Sequence, residues 1–355
     1  MFGYYVPYDP TSWASLEAQA DKIDYVAAQW VWIDACGNLS SQDDLTLLRF
    51  ARAKGIRVLP SLLTDSGWMN HRLLTDEPTT ARAIQNLVDY VVDVGYDGLD
   101  LDLEGVNATD RAVYTAFVAR LSAALHKKGK LLTAALPAKA SDVTTGWAGA
   151  FEYAALAPHL DLAVIMTYAY TTSSTPPGST APHDWVDRVI SYVTTQMPPQ
   201  KVLPGIAFYG YDWNVTTGGK ARALRYPQAA ALSDKYGVPI TLDTTSRSAT
   251  FTYTARAGDV PPPDPKLPAL DHEIKTRSRP PCPVATATPS PAPTPRPSPT
   301  PPPVQQHVVW LEDAKSVLQR VNLAEKHRTG GIATWRLGQE DSGVWAVIRE
   351  YRQGR

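Results

Sequence analysis

The chain has 355 residues, enough for one large α/β domain or two medium ones. Hydrophobic residues make up 44%, which excludes global disorder. A formal net charge of -1 leaves no basic excess to hold nucleic acid or an anionic membrane.

The opening "MFGYYVPYDP" reads as a strand and a turn, with no signal segment visible. That pattern fits a cytoplasmic protein or a chain whose export signal lies upstream of this start. Strand-like stretches then recur along the chain: "FGYYV", "YVAAQWVWI", "IRVLPSLLT", "DGLDLDLE", "KLLTAALP", "LAVIMTYAY", "KVLPGIAFYG" and "GGIATWRL". Most are rich in β-branched or aromatic residues and bounded by Gly, Pro or Asp. Amphipathic stretches with helical spacing lie between most of them, including "DDLTLLRFARAKG", "TTARAIQNLVDYVVDVG" and "RAVYTAFVARLSAALHKKG". Gly55, Gly95 and Gly129 supply the stop signals. Strands alternating with helices predict a parallel sheet, and eight such units predict a closed (β/α)8 barrel. No glycine-rich phosphate fingerprint follows the first strand, which argues against an open doubly wound sheet.

Strands seven and eight are too far apart for one crossover, so an insertion is predicted between strand seven and helix seven. The predicted organisation is barrel strands one to seven over 1–211, a small α+β insertion over 212–310, and the closing barrel elements over 311–355. The insertion's first part, "ALRYPQAAALSDKYGVPITLDTTSRSATFTYTA", reads as a helix and two short strands. "HVVW" (His307 to Trp310) is expected to return as a third strand. Pro261 to Pro303 contains 17 of the 31 prolines and is expected to be extended and disordered, a tolerated surface insertion. Cys36 and Cys282 have neither zinc nor redox spacing, and pairing between them is left open. No apolar run is long enough to span a bilayer.

The chemistry concentrates in "YDGLDLDLEGV". Read as a strand, it sends Asp100, Asp102 and Glu104 to one face and Leu99, Leu101 and Leu103 to the other. Like charges about 6–7 Å apart along a strand repel, so the arrangement destabilises the fold unless something uses it. In a parallel barrel the catalytic groups sit at the C-terminal strand ends, where Glu104 lies. Asp100 and Asp102 are expected to share a proton, and the charge nearby to raise the pKa of Glu104. A glutamic acid kept protonated near neutral pH is a general acid. A solvated acidic face and a divalent-cation site are the competing readings.

These residues resemble a known family. "DGLDLDLE" (Asp97 to Glu104) is similar to the aspartate–glycine–x–aspartate–x–aspartate–x–glutamate signature of glycoside hydrolase family 18, the chitinase-type hydrolases. "MTYAY" (Met166 to Tyr170) resembles the methionine–x–tyrosine motif of strand six, "GIAFYGYDW" the exit of strand seven, and "GGIATWRLG" the last strand with its tryptophan. The resemblance looks closest to the bacterial branch with spore-cortex and cell-wall N-acetylglucosaminidases. It implies a TIM barrel that hydrolyses β-1,4 bonds beside N-acetylglucosamine in peptidoglycan or chitin, with retention. It also implies roles. Glu104 would protonate the glycosidic oxygen, Asp102 would hold the 2-acetamido N–H, and Asp100 would tune Asp102. Tyr168 would bond the acetamido oxygen as it attacks the anomeric carbon, so that no protein nucleophile is needed. Trp335 would form the floor under the sugar. An extracellular or cell-surface location and a monomer are expected, with no cofactor and no metal.

One position departs from the family pattern: the residue after the strand-six tyrosine is Ala169 where an aspartate is usual. The alternative function is therefore a catalytically inactive, carbohydrate-binding relative. Further candidates for the sugar path are Tyr5, Met166, Tyr170, Tyr209, Tyr211 and Trp213. Trp30 and Trp32 are expected on one face of strand two, and Trp68 in a rim loop. "TTSSTPPGSTAP" after Tyr170 is expected to be a flexible lid or subsite wall.

Overall fold

The computed structural model describes residues 1–64, 66–259, 267–283 and 303–354. The barrel strands are, in order, Phe2–Tyr5, Tyr25–Ile33, Arg57–Leu63, Gly98–Leu101, Leu131–Pro137, Leu162–Met166, Val202–Ala207 and Ala333–Trp335. Each pairs in parallel with the next. The last pairs with the first, Phe2 beside Ala333, which closes the sheet into a (β/α)8 barrel. The outer faces of the strands and the inner faces of the helices form one large core. A second, smaller cluster fills the barrel interior, with Phe2, Tyr4, Val164, Met166 and Leu203 among its members.

Local signals set the helix ends. Asp44 caps Leu45–Lys54 by accepting from the Leu47 N–H, and Gly55 ends it at φ 70°. Asp76 caps Glu77–Val94 in the same way, with Gly95 in the left-handed conformation behind it. No helix among the described residues is long and apolar enough to cross a membrane.

The insertion after barrel strand seven builds its own five-stranded sheet. Tyr209–Asn214 pairs antiparallel with Arg222–Arg225 and with Val304–Leu311, which pairs in turn with Ala249–Arg256. The helix Tyr226–Tyr236 packs against it. The returning strand is thus eight residues long, where "HVVW" predicts four.

The proline-rich segment departs from expectation. Residues 260–266 and 284–302 lie outside the described residues, but 267–283 is ordered. It crosses to the barrel and lays Ile274–Arg277 antiparallel on Leu39–Asp44, the hairpin partner of barrel strand two. His272 Nδ1 lies 2.6 Å from Asp44 Oδ2, Arg49 bonds Glu273 at 2.7 Å, and Cys36 is disulfide-bonded to Cys282. The segment is a strap. Its prolines at 268, 280, 281 and 283 flank the ladder, where missing N–H groups cost no sheet bonds.

Candidate active site

A cavity of about 510 Å³ opens at the C-terminal end of the barrel. Asp102, Glu104, Met166, Tyr168, Tyr209, Tyr211 and Trp335 all line it. Strand, loop and insertion residues more than two hundred positions apart in sequence are brought together there.

The acidic strand is shorter than its alternation suggests. Its ladder ends at Leu101, and Asp102 and Glu104 follow on the exit, although the Asp102 N–H still donates to the Leu62 carbonyl at 3.1 Å. Leu99, Leu101 and Leu103 are buried beneath the helices. Asp100 sits beside Ser61 and Thr133 in the sheet register. Both hydroxyls donate to it, at 2.8 and 2.6 Å. Asp102 accepts instead from Gln29 Nε2 at 2.9 Å. Each aspartate thus has donors of its own, two hydroxyls for Asp100 and one amide for Asp102. Glu104 is held through its backbone: Asn70 Nδ2 donates to its carbonyl at 2.6 Å, and Thr64 donates to Asn70 at 2.7 Å.

Burial raises the pKa of Asp100, opposed by the hydrogen bonds from Thr133, Ser61 and Tyr4. Asp102 is pushed well above the usual carboxylate range, by burial first and then by the charges of Asp100 and Glu104. Glu104 is also raised, by burial rather than by its acidic neighbours as the spacing suggests. Its side chain reaches solvent at the cavity, so the cause is partial desolvation by a concave wall. Burial, and then the neighbouring Tyr209, keeps the Tyr168 phenol protonated.

Tyr168 is admitted by Gly205 on the next strand, where a Cβ would stand 2.8 Å from the Tyr168 ring. Ala169 follows at the cavity wall with φ 58°, a conformation that costs an alanine about 1–2 kcal/mol. Aspartate enters that region more readily, so the alanine is the less comfortable residue there.

Several expected site residues lie elsewhere. Tyr5 points outward from the barrel, fully buried against Trp30, with its hydroxyl 3.4 Å from Asp44. Its neighbour Tyr4 lines the cavity instead and meets Trp335 edge to face at 5.3 Å. Tyr170 is exposed and packs on Trp185, which itself lines the cavity. Trp213 is buried in the insertion sheet and donates its indole N–H to the Thr175 carbonyl at 2.8 Å. That bond, with Ala221 N–H to Ser173 O at 2.7 Å, ties the loop after Tyr170 to the insertion. Trp68 stands on the helix Gly67–Thr75, away from the cavity lining. Trp147, Trp185 and Gln339 also line the cavity and carry no sequence signal that separates them from ordinary loop and helix residues.

Residues 1–340 match the model of glycosyl hydrolases family 18. The chain is 24% identical over 354 residues to the uncharacterized glycosylase YvbX of Bacillus subtilis, covering 98% of this chain and 90% of that protein. It is 28% identical over 282 residues to the cortical fragment-lytic enzyme of the same organism, covering 78% of this chain; it spans 55% of that enzyme. A chitinase from Chromobacterium violaceum superposes with a TM-score of 0.80 at 25% identity, over 100% of this chain and 99% of that one. The Bacillus megaterium spore cortex-lytic enzyme SleL gives 0.79 at 21% identity, over 99% of this chain and 73% of that one, a likeness of fold. With a match across nearly its whole length and the acidic strand exit in a barrel-end cavity, this chain belongs to glycosyl hydrolases family 18.

Proposed function

We propose that this chain is a retaining glycosidase that cleaves β-1,4 linkages next to N-acetylglucosamine in peptidoglycan or chitin, using the substrate's own acetamido group as nucleophile. The observation that carries this reading is the gradient of three carboxylates. Asp100 is sealed under hydroxyls, Asp102 is buried with one donor, and Glu104 alone reaches solvent. Asp102 and Glu104, two residues apart on one strand exit, are the only carboxylates among the described residues lining the cavity, which favours a substrate-assisted course over the two-carboxylate scheme.

In this reading Glu104, in its protonated form, gives its proton to the glycosidic oxygen, and the burial that raises its pKa favours that form. Asp102 accepts the acetamido N–H, which turns the acetamido oxygen toward the anomeric carbon, and its charge stabilises the cation that develops there. The Tyr168 hydroxyl donates to the same acetamido oxygen and holds its line of attack. Glu104, now ionised, takes a proton from the water that opens the intermediate from the face the leaving group vacated. Two inversions give retention. Trp335 offers a flat apolar surface to the sugar ring. The disulfide between Cys36 and Cys282 supports an oxidising, extracellular or cell-surface location. We take the working unit to be a monomer.

The test sets wild type beside Glu104→Gln on chito-oligosaccharides and purified peptidoglycan, with products identified by mass and the nascent anomer read by NMR. Turnover should fall by about 10²–10⁴-fold with sugar affinity kept. An active Glu104→Gln protein, or an inverted anomer, rejects the mechanism. Ala169 in the family's aspartate position favours a second reading, an inactive carbohydrate binder. Wild-type binding without turnover would select it.

A further inference from the structure

Gln29, Ser61 and Asp100 stand in one row across barrel strands two, three and four, each in parallel register with the next. Ser61 and Gln29 both bond the acidic run, so the row faces the barrel interior. Ser61 donates to Asp100 on the adjacent strand at 2.8 Å. Gln29 passes over the small serine and donates to Asp102, two residues beyond Asp100, at 2.9 Å. Its backbone lies two strand spacings, about 10 Å, from the fourth strand, a span that requires a long side chain. The extra residue Trp30 follows directly, so the regular pairing of strand two stops at Gln29, and such a bulge re-aims the side chains beside it.

The groups that face Asp102 make this bond matter. Asp100 and Glu104 repel its charge, while the phenols of Tyr4, Tyr114 and Tyr168 stand near it uncharged. Among the described residues, no lysine, arginine or histidine lines the cavity. Gln29 takes Oδ2, and no other N–H or hydroxyl of the described residues donates to the Asp102 carboxylate. A glutamine donates without titrating and without cancelling charge. An arginine or lysine there would neutralise the carboxylate, and a glutamate would add to the repulsion.

We propose that Gln29 is a positioning residue: it anchors Asp102 through Oδ2, in its ionised form, and leaves Oδ1 as the acceptor for the substrate's acetamido N–H. The inference rests on the substrate-assisted reading and adds to it the group that sets the orientation and charge of Asp102. Gln29 itself is not among the residues lining the cavity, so it acts through Asp102.

The experiment compares wild type, Gln29→Leu and Gln29→Asn on chito-oligosaccharide and on peptidoglycan glycan across pH. A hydrogen bond to a carboxylate lowers its pKa, so losing the bond raises that of Asp102. Asp102 acts in its ionised form, so the acid limb of the kcat/KM profile should move to higher pH in Gln29→Leu, by about one unit. On the plateau kcat should fall about tenfold with KM within about twofold of wild type, because the bond orients a group that works in the transition state. Gln29→Asn keeps an amide too short for the span and should behave like Gln29→Leu; it decides the matter if the leucine variant does not fold. An unmoved acid limb, or a loss confined to KM, overturns the proposal. If wild type turns over neither substrate, the glycosidase reading fails, and carbon-13 NMR of the carboxyl groups then tests Gln29 separately. The Asp102 signal, identified by its loss in Asp102→Asn, should titrate at higher pH in Gln29→Leu than in wild type. An unchanged midpoint overturns the positioning role.

Discussion

Asp102 bears the heaviest electrostatic load in the cavity. Burial and two neighbouring carboxylates push its pKa up, and a single hydrogen bond from Gln29 opposes them. A neutral residue of the same shape removes that repulsion. Asp102→Asn should therefore be more stable than wild type at neutral pH, by on the order of 1 kcal/mol in denaturant unfolding, while losing most of its turnover. Equal or lower stability would mean that Asp102 is better solvated than its surroundings indicate. The alternation of acids and leucines makes this triplet legible from residues alone. The partners are not legible. Gln29, Asn70 and Tyr4 sit in stretches that resemble any other strand or helix, and they matter because neighbouring strands bring them within bonding distance. Tyr4 and Tyr5 oppose each other by simple alternation. Both faces of a barrel strand are apolar, so nothing local says which one looks inward.

Among elements, the strap is the largest departure from expectation. Proline density suggests an unstructured excursion, yet residues 267–283 hold a four-residue ladder, a buried His272–Asp44 contact and a disulfide. Proline restrains the chain without dictating where it docks, and the docking edge lies some 230 residues away on Leu39–Asp44. Because the ladder is short, the disulfide supplies much of its persistence. In Cys36→Ser, the amides of Ile274–Arg277 should exchange with deuterium about tenfold faster or more, with the barrel strands unchanged. Protection identical to wild type would show that the ladder and His272 suffice. Trp30 and Trp32 make the same point on a smaller scale. Strict alternation assigns them one face, but the extra residue in strand two sends Trp30 into the outer core and turns Trp32 to the other face.

At the scale of the whole molecule, two groups of carboxylates pull stability in opposite directions with pH. Asp9, Asp24 and Asp187 are desolvated, but hydrogen bonds and cations hold each below its ordinary value: Thr11 and Arg336 for Asp9, Arg352 and the N-terminus for Asp24, His327 and Lys326 for Asp187. Their stabilisation is present above the ordinary carboxylate pKa and disappears as pH falls through the lowered values. Asp100, Asp102, Glu104 and Glu312 are raised, chiefly by burial. For these the native state binds more protons than the unfolded one, so stability declines as pH rises above about 4 toward their raised values. The unfolding free energy should therefore peak on the acidic side, just above about pH 4–5, and decline toward neutrality. A denaturation series in which it climbs steadily to pH 8 would contradict this balance.

Local sequence determined the order of the eight strand–helix units, the caps that start and stop the helices, and the acidic run at the fourth strand. Each depends on contacts within a few residues, through side-chain alternation, Asp caps and left-handed glycines. Tertiary structure alone decided which tyrosine enters the cavity, where the acidic ladder ends, how each aspartate finds its donor, and where the strap lands. Those outcomes are set by the closed sheet, because closure fixes the neighbours of every strand and gives each side chain one of two faces. No window of sequence contains that information.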